Sequence, residues 1–175
     1  RVHPGRDEKI LTSWNGLMLA AFAEAATAFV LRGNTERADR YRRIAEDNAE
    51  FLLHHLQTDG DRLFHTWKAR PEQVPEGPSE GAAENGDQRT QGTAKVDGFL
   101  EDYAHLAEGL LALYGATFHP RWYQAAHNVV DAAIARFWVP GEGFYDTADD
   151  AEVLVARPRD LQDNATPSGN AMMAT

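Results

Sequence analysis

Gly16-Leu17-Met18-Leu19-Ala20-Ala21-Phe22-Ala23-Glu24, running on to Leu31, contains one charge, Glu24. A helix that is apolar on every face is expected to lie inside protein. Gly98 to Tyr114 reads the same way. Its acidic residues are Glu101, Asp102 and Glu108, while Phe99, Leu100, Tyr103, Leu106, Leu110 and Leu113 spread around the wheel. A helix of another kind follows each. From Glu36 to Leu56 an apolar stripe through Tyr41, Ile44, Ala45, Leu52 and Leu56 faces a side rich in Arg, Asp and Glu. From Pro120 to Trp138 the stripe is Trp122, Ala126, Val129, Val130, Ala133 and Phe137, and Pro120 suits a first helical turn. The order is thus buried helix, surface helix, buried helix, surface helix, then a third start at Pro167-Ser168-Gly169-Asn170.

Short strand-like stretches separate the hairpins: Gly60 to Trp67 and Gly143 to Thr147, each bracketed by Gly and Asp as turns require. Residues Pro75 to Lys95 are rich in Gly, Glu, Pro, Gln and Ala and are expected to form a mobile loop. Inner-helix starts fall near Thr12, Gly98 and Ser168, a repeat of roughly 80 residues. The expected fold is all-α, a partial α/α toroid of inner and outer helices with short β-hairpin links. A packed domain of a few helical hairpins fits the same pattern. A six-hairpin ring would need roughly 470 residues, well beyond one ordinary domain. Residues 1–175 are therefore expected to be a fragment of one such domain, cut at both ends.

The composition removes several classes of function. With 27 acidic and 17 basic residues the net charge is −10, unsuited to a general nucleic-acid or polybasic membrane-surface binder. No apolar run is expected to reach the ~18 residues of a membrane span. There is no cysteine, so disulfides, thiolate metal sites and cysteine nucleophiles are excluded within the chain. That fits a reducing compartment, and a cytoplasmic location is the expectation. The histidines lack metal-site spacing, and no phosphate-binding glycine pattern occurs, so no metal and no cofactor are expected.

Three polar clusters sit where inner helices begin, where free N–H groups and a positive dipole end are presented. In Asp7 to Gly16, Asp7 is an acid–base candidate or a partner for Lys9. Trp14 is a sugar-stacking face or a core residue, Asn15 a hydroxyl ligand, and Thr12 or Ser13 an N-cap. In Asp97 to His105, Glu101 and His105 share a face, as do Asp102 and His105, giving either an acid–base pair or a structural network capped by Asp97. In Asp163 to Asn170, Asn164, Ser168 and Asn170 line a polar pocket or merely open a helix with Ser168 as N-cap.

Asp7-Glu8-Lys9-Ile10-Leu11-Thr12-Ser13-Trp14-Asn15-Gly16-Leu17, Gly98-Phe99-Leu100-Glu101-Asp102-Tyr103-Ala104, Phe144-Tyr145-Asp146-Thr147-Ala148-Asp149-Asp150 and Pro167-Ser168-Gly169-Asn170 together resemble a known family. It is the spermatogenesis-associated protein 20 family of thioredoxin-domain-containing proteins. The resemblance implies a helical toroid similar to N-acylglucosamine 2-epimerases and six-hairpin glycosidases, accompanied by a thioredoxin-like domain absent here. No stretch matches the epimerase histidines, so none is carried over. The implied function is carbohydrate handling of epimerase or glycosidase type. Asp7, Glu101 or Asp102 would supply acid–base catalysis. Trp14 and Tyr103 would stack on the sugar, Asn15, Asn164 and Asn170 would orient it, and Lys9, His105 and Ser168 would complete the pocket. The alternative is a non-catalytic docking or regulatory module for the thioredoxin-like domain. An open ring is also expected to self-associate through its unburied inner face.

Overall fold

The structure is a computed structural model that describes residues 7–70, 91–152 and 155–174. It is mostly helical, with a few short antiparallel strands. In chain order the elements are β1 (Ile10–Leu11), α1 (Thr12–Leu31), α2 (Thr35–His55), β2 (Phe64–Ala69), β3 (Gly92–Asp97), α3 (Leu100–Thr117), α4 (Pro120–Phe137), β4 (Trp138–Val139), β5 (Gly143–Phe144) and α5 (Gly169–Met173).

The four long helices read from the pattern are present. α1 and α2 form one helical hairpin and α3 and α4 the next, with α1 packed most extensively on α3. Asn34 opens α2 by accepting the Arg37 N–H at 3.1 Å. Pro120 occupies the first turn of α4. The core between the hairpins includes Leu19, Leu52, Leu106, Leu110 and Leu113, none of which is exposed. Each fully buried leucine stabilises by roughly 1.5–3 kcal/mol. Glycines set the α1–α3 spacing. A Cβ on Gly16 would lie 2.5 Å from the His105 carbonyl carbon, and one on Gly109 would lie 2.6 Å from the Gly16 oxygen. Gly16 thus meets His105 while Gly109 meets Gly16 and Leu19, so the two inner helices run parallel from one end.

The inner helix α1 is not enclosed. Trp14, Met18, Val30 and Leu31 are all at least half exposed, so one flank of this helix lacks a neighbour within the described residues. By length and composition α1 would suffice to cross a membrane, contrary to the sequence expectation, because Thr12–Leu31 counts in full once the helix begins at Thr12.

A three-stranded sheet in the order β1-β2-β3 ties the start of α1 to the link between the hairpins. Its register pairs Ile10 with Trp67, Thr66 with Lys95 and Lys68 with Thr93. One sequence expectation is corrected here. Residues 75–90 of the anticipated loop lie outside the described residues, but Gly92–Asp97 is strand, held by its ladder to β2. The second link is a small hairpin, Trp138 opposite Phe144.

Candidate functional site

The starts of α1, α3 and α5 meet, and Asp102 is the residue on which two of them depend. It lies in the first turn of α3 and is fully buried. Its Oδ2 accepts the Phe99 N–H at 2.9 Å, closing its own helix; its Oδ1 accepts the Ser13 N–H at 2.9 Å, closing α1. One carboxylate therefore satisfies orphan donors of two helices and sits at both positive dipole ends. Neither Thr12 nor Ser13 caps α1, as the sequence had suggested. Leu11 is the N-cap, and the Thr12 hydroxyl donates to the Phe64 carbonyl instead. Nor does Asp97 cap α3; it pairs with Arg62 at 3.0 Å.

A buried carboxylate is costly without compensation. His65, from β2, supplies it: Nδ1 is 2.9 Å from Oδ2 and 3.2 Å from Oδ1 of Asp102. An ionised carboxylate only accepts, so His65 Nδ1–H donates. The bond to Asp102 holds the His65 pKa above its usual value. Phe99 packs edge-on against the imidazole at 5.1 Å.

Glu101 is the next residue, half-buried, and its pKa is pushed up by burial and then by the charge of Asp102. Donor atoms of His65, Glu101 and Asp102 all lie within 4.8 Å of one another. Sequence reasoning foresaw no metal, yet this nitrogen-and-two-carboxylate set is of a kind that holds a divalent ion, with the His65–Asp102 hydrogen bond tying two of its members together.

Glu101 also lines a cavity of about 280 Å³ shared with Asp146, Asp160, Asn164, Thr166 and Ser168. Burial raises the Asp146 pKa, partly offset by the Asp160 N–H that its carboxylate accepts at 2.8 Å. The cavity thus joins three carboxyl groups, two of them (Glu101 and Asp146) with raised pKa, to the uncharged hydrogen-bonding side chains of Asn164, Thr166 and Ser168. That donor and acceptor set is suited to hydroxyl-rich ligands and to proton transfer.

The second and third sequence clusters converge here, and the first does so only through Ser13. Asp7 is exposed, paired with Lys9 at 3.2 Å, and held at a low pKa by the Lys9 backbone N–H and ammonium. Lys9 and Asp7 do not line the cavity. Trp14 is 64% exposed, and the Asn15 amide donates to the Leu11 carbonyl at 2.9 Å. Tyr103 has no stacking face to offer. It is buried, its hydroxyl accepts the Leu63 N–H at 2.9 Å, and its ring edge packs on Phe137. His105 is likewise internal: Nε2–H donates to the Pro167 carbonyl at 3.1 Å, tying α3 to the start of α5. Ser168 is the N-cap of α5, accepting from Ala171 N–H at 3.2 Å, and it also lines the cavity. Asn164 lines the cavity and is exposed, while the Asn170 amide donates to the Asp160 carbonyl at 3.0 Å.

Sequence reasoning missed His65, Asp146 and Asp160 as site residues. His65 stands 37 residues from its partner, and no local spacing announces that pairing. Asp146 lay within the Phe144–Asp150 stretch but carried no signal of its own.

The chain is 32% identical to human spermatogenesis-associated protein 20 over 178 residues, which is 99% of this chain and 20% of that protein. Similarity to spermatogenesis-associated protein 20 runs the whole length of the chain. The rat protein of that name is 33% identical over 172 residues, 96% of this chain. An uncharacterized Caenorhabditis elegans protein is 26% identical over 172 residues. The chain spans about a fifth of the length of these curated relatives. No family model matches it.

Proposed function

We propose that the chain forms part of a helical toroid and contributes an acid–base site for carbohydrate chemistry of epimerase or glycosidase type. The observation that carries this reading is the pair of buried Asp102 and half-buried His65, with half-buried Glu101 beside it on the rim of a polar cavity. Alternating inner and outer helices, with inner helices parallel and starting at one end, support the toroid. Asp102 is the positioning residue: it fixes the His65 tautomer and holds its Nδ1 proton. Glu101, raised toward neutrality by burial, is the proton donor, and Asp146 across the cavity is the second carboxyl group. Asn164, Thr166 and Ser168 orient sugar hydroxyls. The earlier roles for Asp7, Trp14, Asn15, Tyr103 and Asn170 are not retained, because none of the five lines the cavity.

The test is a panel of mono- and disaccharides, screened for binding by ligand-observed NMR and for turnover in the full-length protein. Glu101→Gln and Asp146→Asn are expected to abolish turnover while circular dichroism is unchanged. A panel without binding, or turnover insensitive to both substitutions, refutes the proposal.

A second reading has its own support. Both Asp102 oxygens are committed to main-chain N–H groups, as a purely structural residue requires. On that reading the chain docks or regulates an attached thioredoxin-like domain. Co-purification of separately expressed parts, lost on surface substitution and indifferent to Glu101→Gln, would favour it.

A further inference from the structure

The sheet holds a second feature that the proposed site does not use. β2 and β3 pair so that Thr66 faces Lys95 and Lys68 faces Thr93. Because side chains alternate along a strand, Thr66, Lys68 and Arg70 share one face with Thr93 and Lys95. Lys9, just before β1, joins them around an open groove of about 340 Å³. Among the described residues four cations, two threonines and Ala69 line it, with no carboxylate.

This arrangement runs against the chain as a whole, whose net charge is −10. Like charges on neighbouring strands repel and destabilise a sheet. Among the described carboxylates Asp7 relieves part of that, lying close enough to Lys9 and Lys68 for both to lower its pKa. Asp7 pairs with Lys9 at 3.2 Å from an exposed position, and Asp97, at the far end of β3, is bound to Arg62. Lysine on an edge strand also discourages sheet-to-sheet pairing, but that role does not need cations from β2, β3 and the lead into β1 converging on one groove.

We infer that the groove lined by Lys9, Lys68, Arg70 and Lys95 binds a free small molecule bearing a phosphate or diphosphate group. Lysine provides point charges and arginine a planar fork, the usual complement to phosphate oxygens. Threonine hydroxyls at Thr66 and Thr93 add neutral donors, although Thr66 Oγ1 is now bonded to the Lys95 carbonyl at 2.9 Å. The groove's size suits a compact ligand. A nucleic acid or an anionic membrane would extend past it onto a surface of opposite preference, where repulsion within a Debye length of about 8–10 Å opposes binding. The inference is independent of the carbohydrate reading, since none of the groove residues lines the Glu101 cavity.

Calorimetric titration of the full chain with inorganic pyrophosphate at low salt tests it. Saturable single-site binding that weakens as salt rises is expected. The double variant Lys68→Glu with Lys95→Glu should lower affinity by roughly a hundredfold, about tenfold for each reversed charge. Arg40→Glu, on the exposed side of α2, should leave it unchanged. If the double variant fails to fold by circular dichroism, Lys68→Gln with Lys95→Gln replaces it, again with loss of affinity expected. Absence of pyrophosphate binding overturns the inference. So does equal loss in Arg40→Glu, or tighter binding of a short RNA or of phosphatidylserine vesicles than of pyrophosphate.

Discussion

Asp102→Ala is the perturbation that best separates a structural carboxylate from an accessory one. Truncation strands three donors: the Ser13 N–H, the Phe99 N–H and the His65 Nδ1–H. Ser13 is buried at 1% exposure, so no water replaces its lost acceptor. Phe99 and His65 are half-buried, and water can partly reach them. A buried unsatisfied donor costs about 1–3 kcal/mol, which puts Ser13 near the upper end and the other two near the lower. Relief of the carboxylate's own desolvation offsets part of the sum. A net loss of about 3 kcal/mol is expected, a large share of the ~5–15 kcal/mol that holds a domain together. For a chain of this size that corresponds to roughly 6–12 °C in Tm. Asp102→Asn should cost less, about 2 kcal/mol, because the amide oxygen still accepts one main-chain N–H while its NH2 group opposes the other. Urea unfolding of the intact chain, followed by circular dichroism, gives both values. An Asp102→Ala variant within about 0.5 kcal/mol of the parent, at unchanged m-value, would refute the idea that one carboxylate caps two helices.

His65→Asn removes a group whose folded pKa lies above its unfolded value of 6.5, through its bond to Asp102. The stability His65 contributes is complete below 6.5 and disappears as pH rises through the folded value, so the two proteins should converge at alkaline pH; a difference that grows with pH in urea titrations contradicts this. Glu101 changes stability with pH in the same direction, but as a penalty that appears on ionisation and not as a bond that is lost. Its carboxyl is raised from 4.5 by burial, so ionisation penalises the folded state as pH climbs above 4.5. Glu101→Gln should therefore stabilise the chain at neutral pH and lose that advantage in acid, as thermal melts across pH would reveal. Gly16→Ala places a Cβ 2.5 Å from the His105 backbone and should cost about 1–3 kcal/mol despite alanine's better helix propensity. A thermal melt at or above the parent Tm would show that α1 and α3 do not touch there.

Much of the fold could be read locally because its signals repeat within one helix. The unbroken apolar run after Gly16 and the striped run after Glu36 differ in how many faces carry charge, and that difference alone separates the two kinds of helix in the sequence. Ser168 was legible as a cap because capping is a contact three residues long. β3 was not legible: Gly92 to Lys95 has no strand composition and is ordered only by its partner β2. The site was half legible. Glu101 and Asp102 stood out as carboxylates on an apolar helix, but Tyr103 and His105, on the same helix, were assigned to ligand and turned out to bond Leu63 and Pro167.

The residue order alone settles that this chain makes two helical hairpins and a further short helix opened by Ser168, since periodicity and caps act over a few residues. It also settles the charge balance and the absence of thiol chemistry. Which carboxylate would be shared between helices, which histidine would face it and which acids would meet across a cavity were settled only when the chain packed. Those relations join residues 37 and 89 positions apart, as in His65 to Asp102 and Ser13 to Asp102. Burial, which sets their charge states, exists only once α1, α3 and β2 have closed around them.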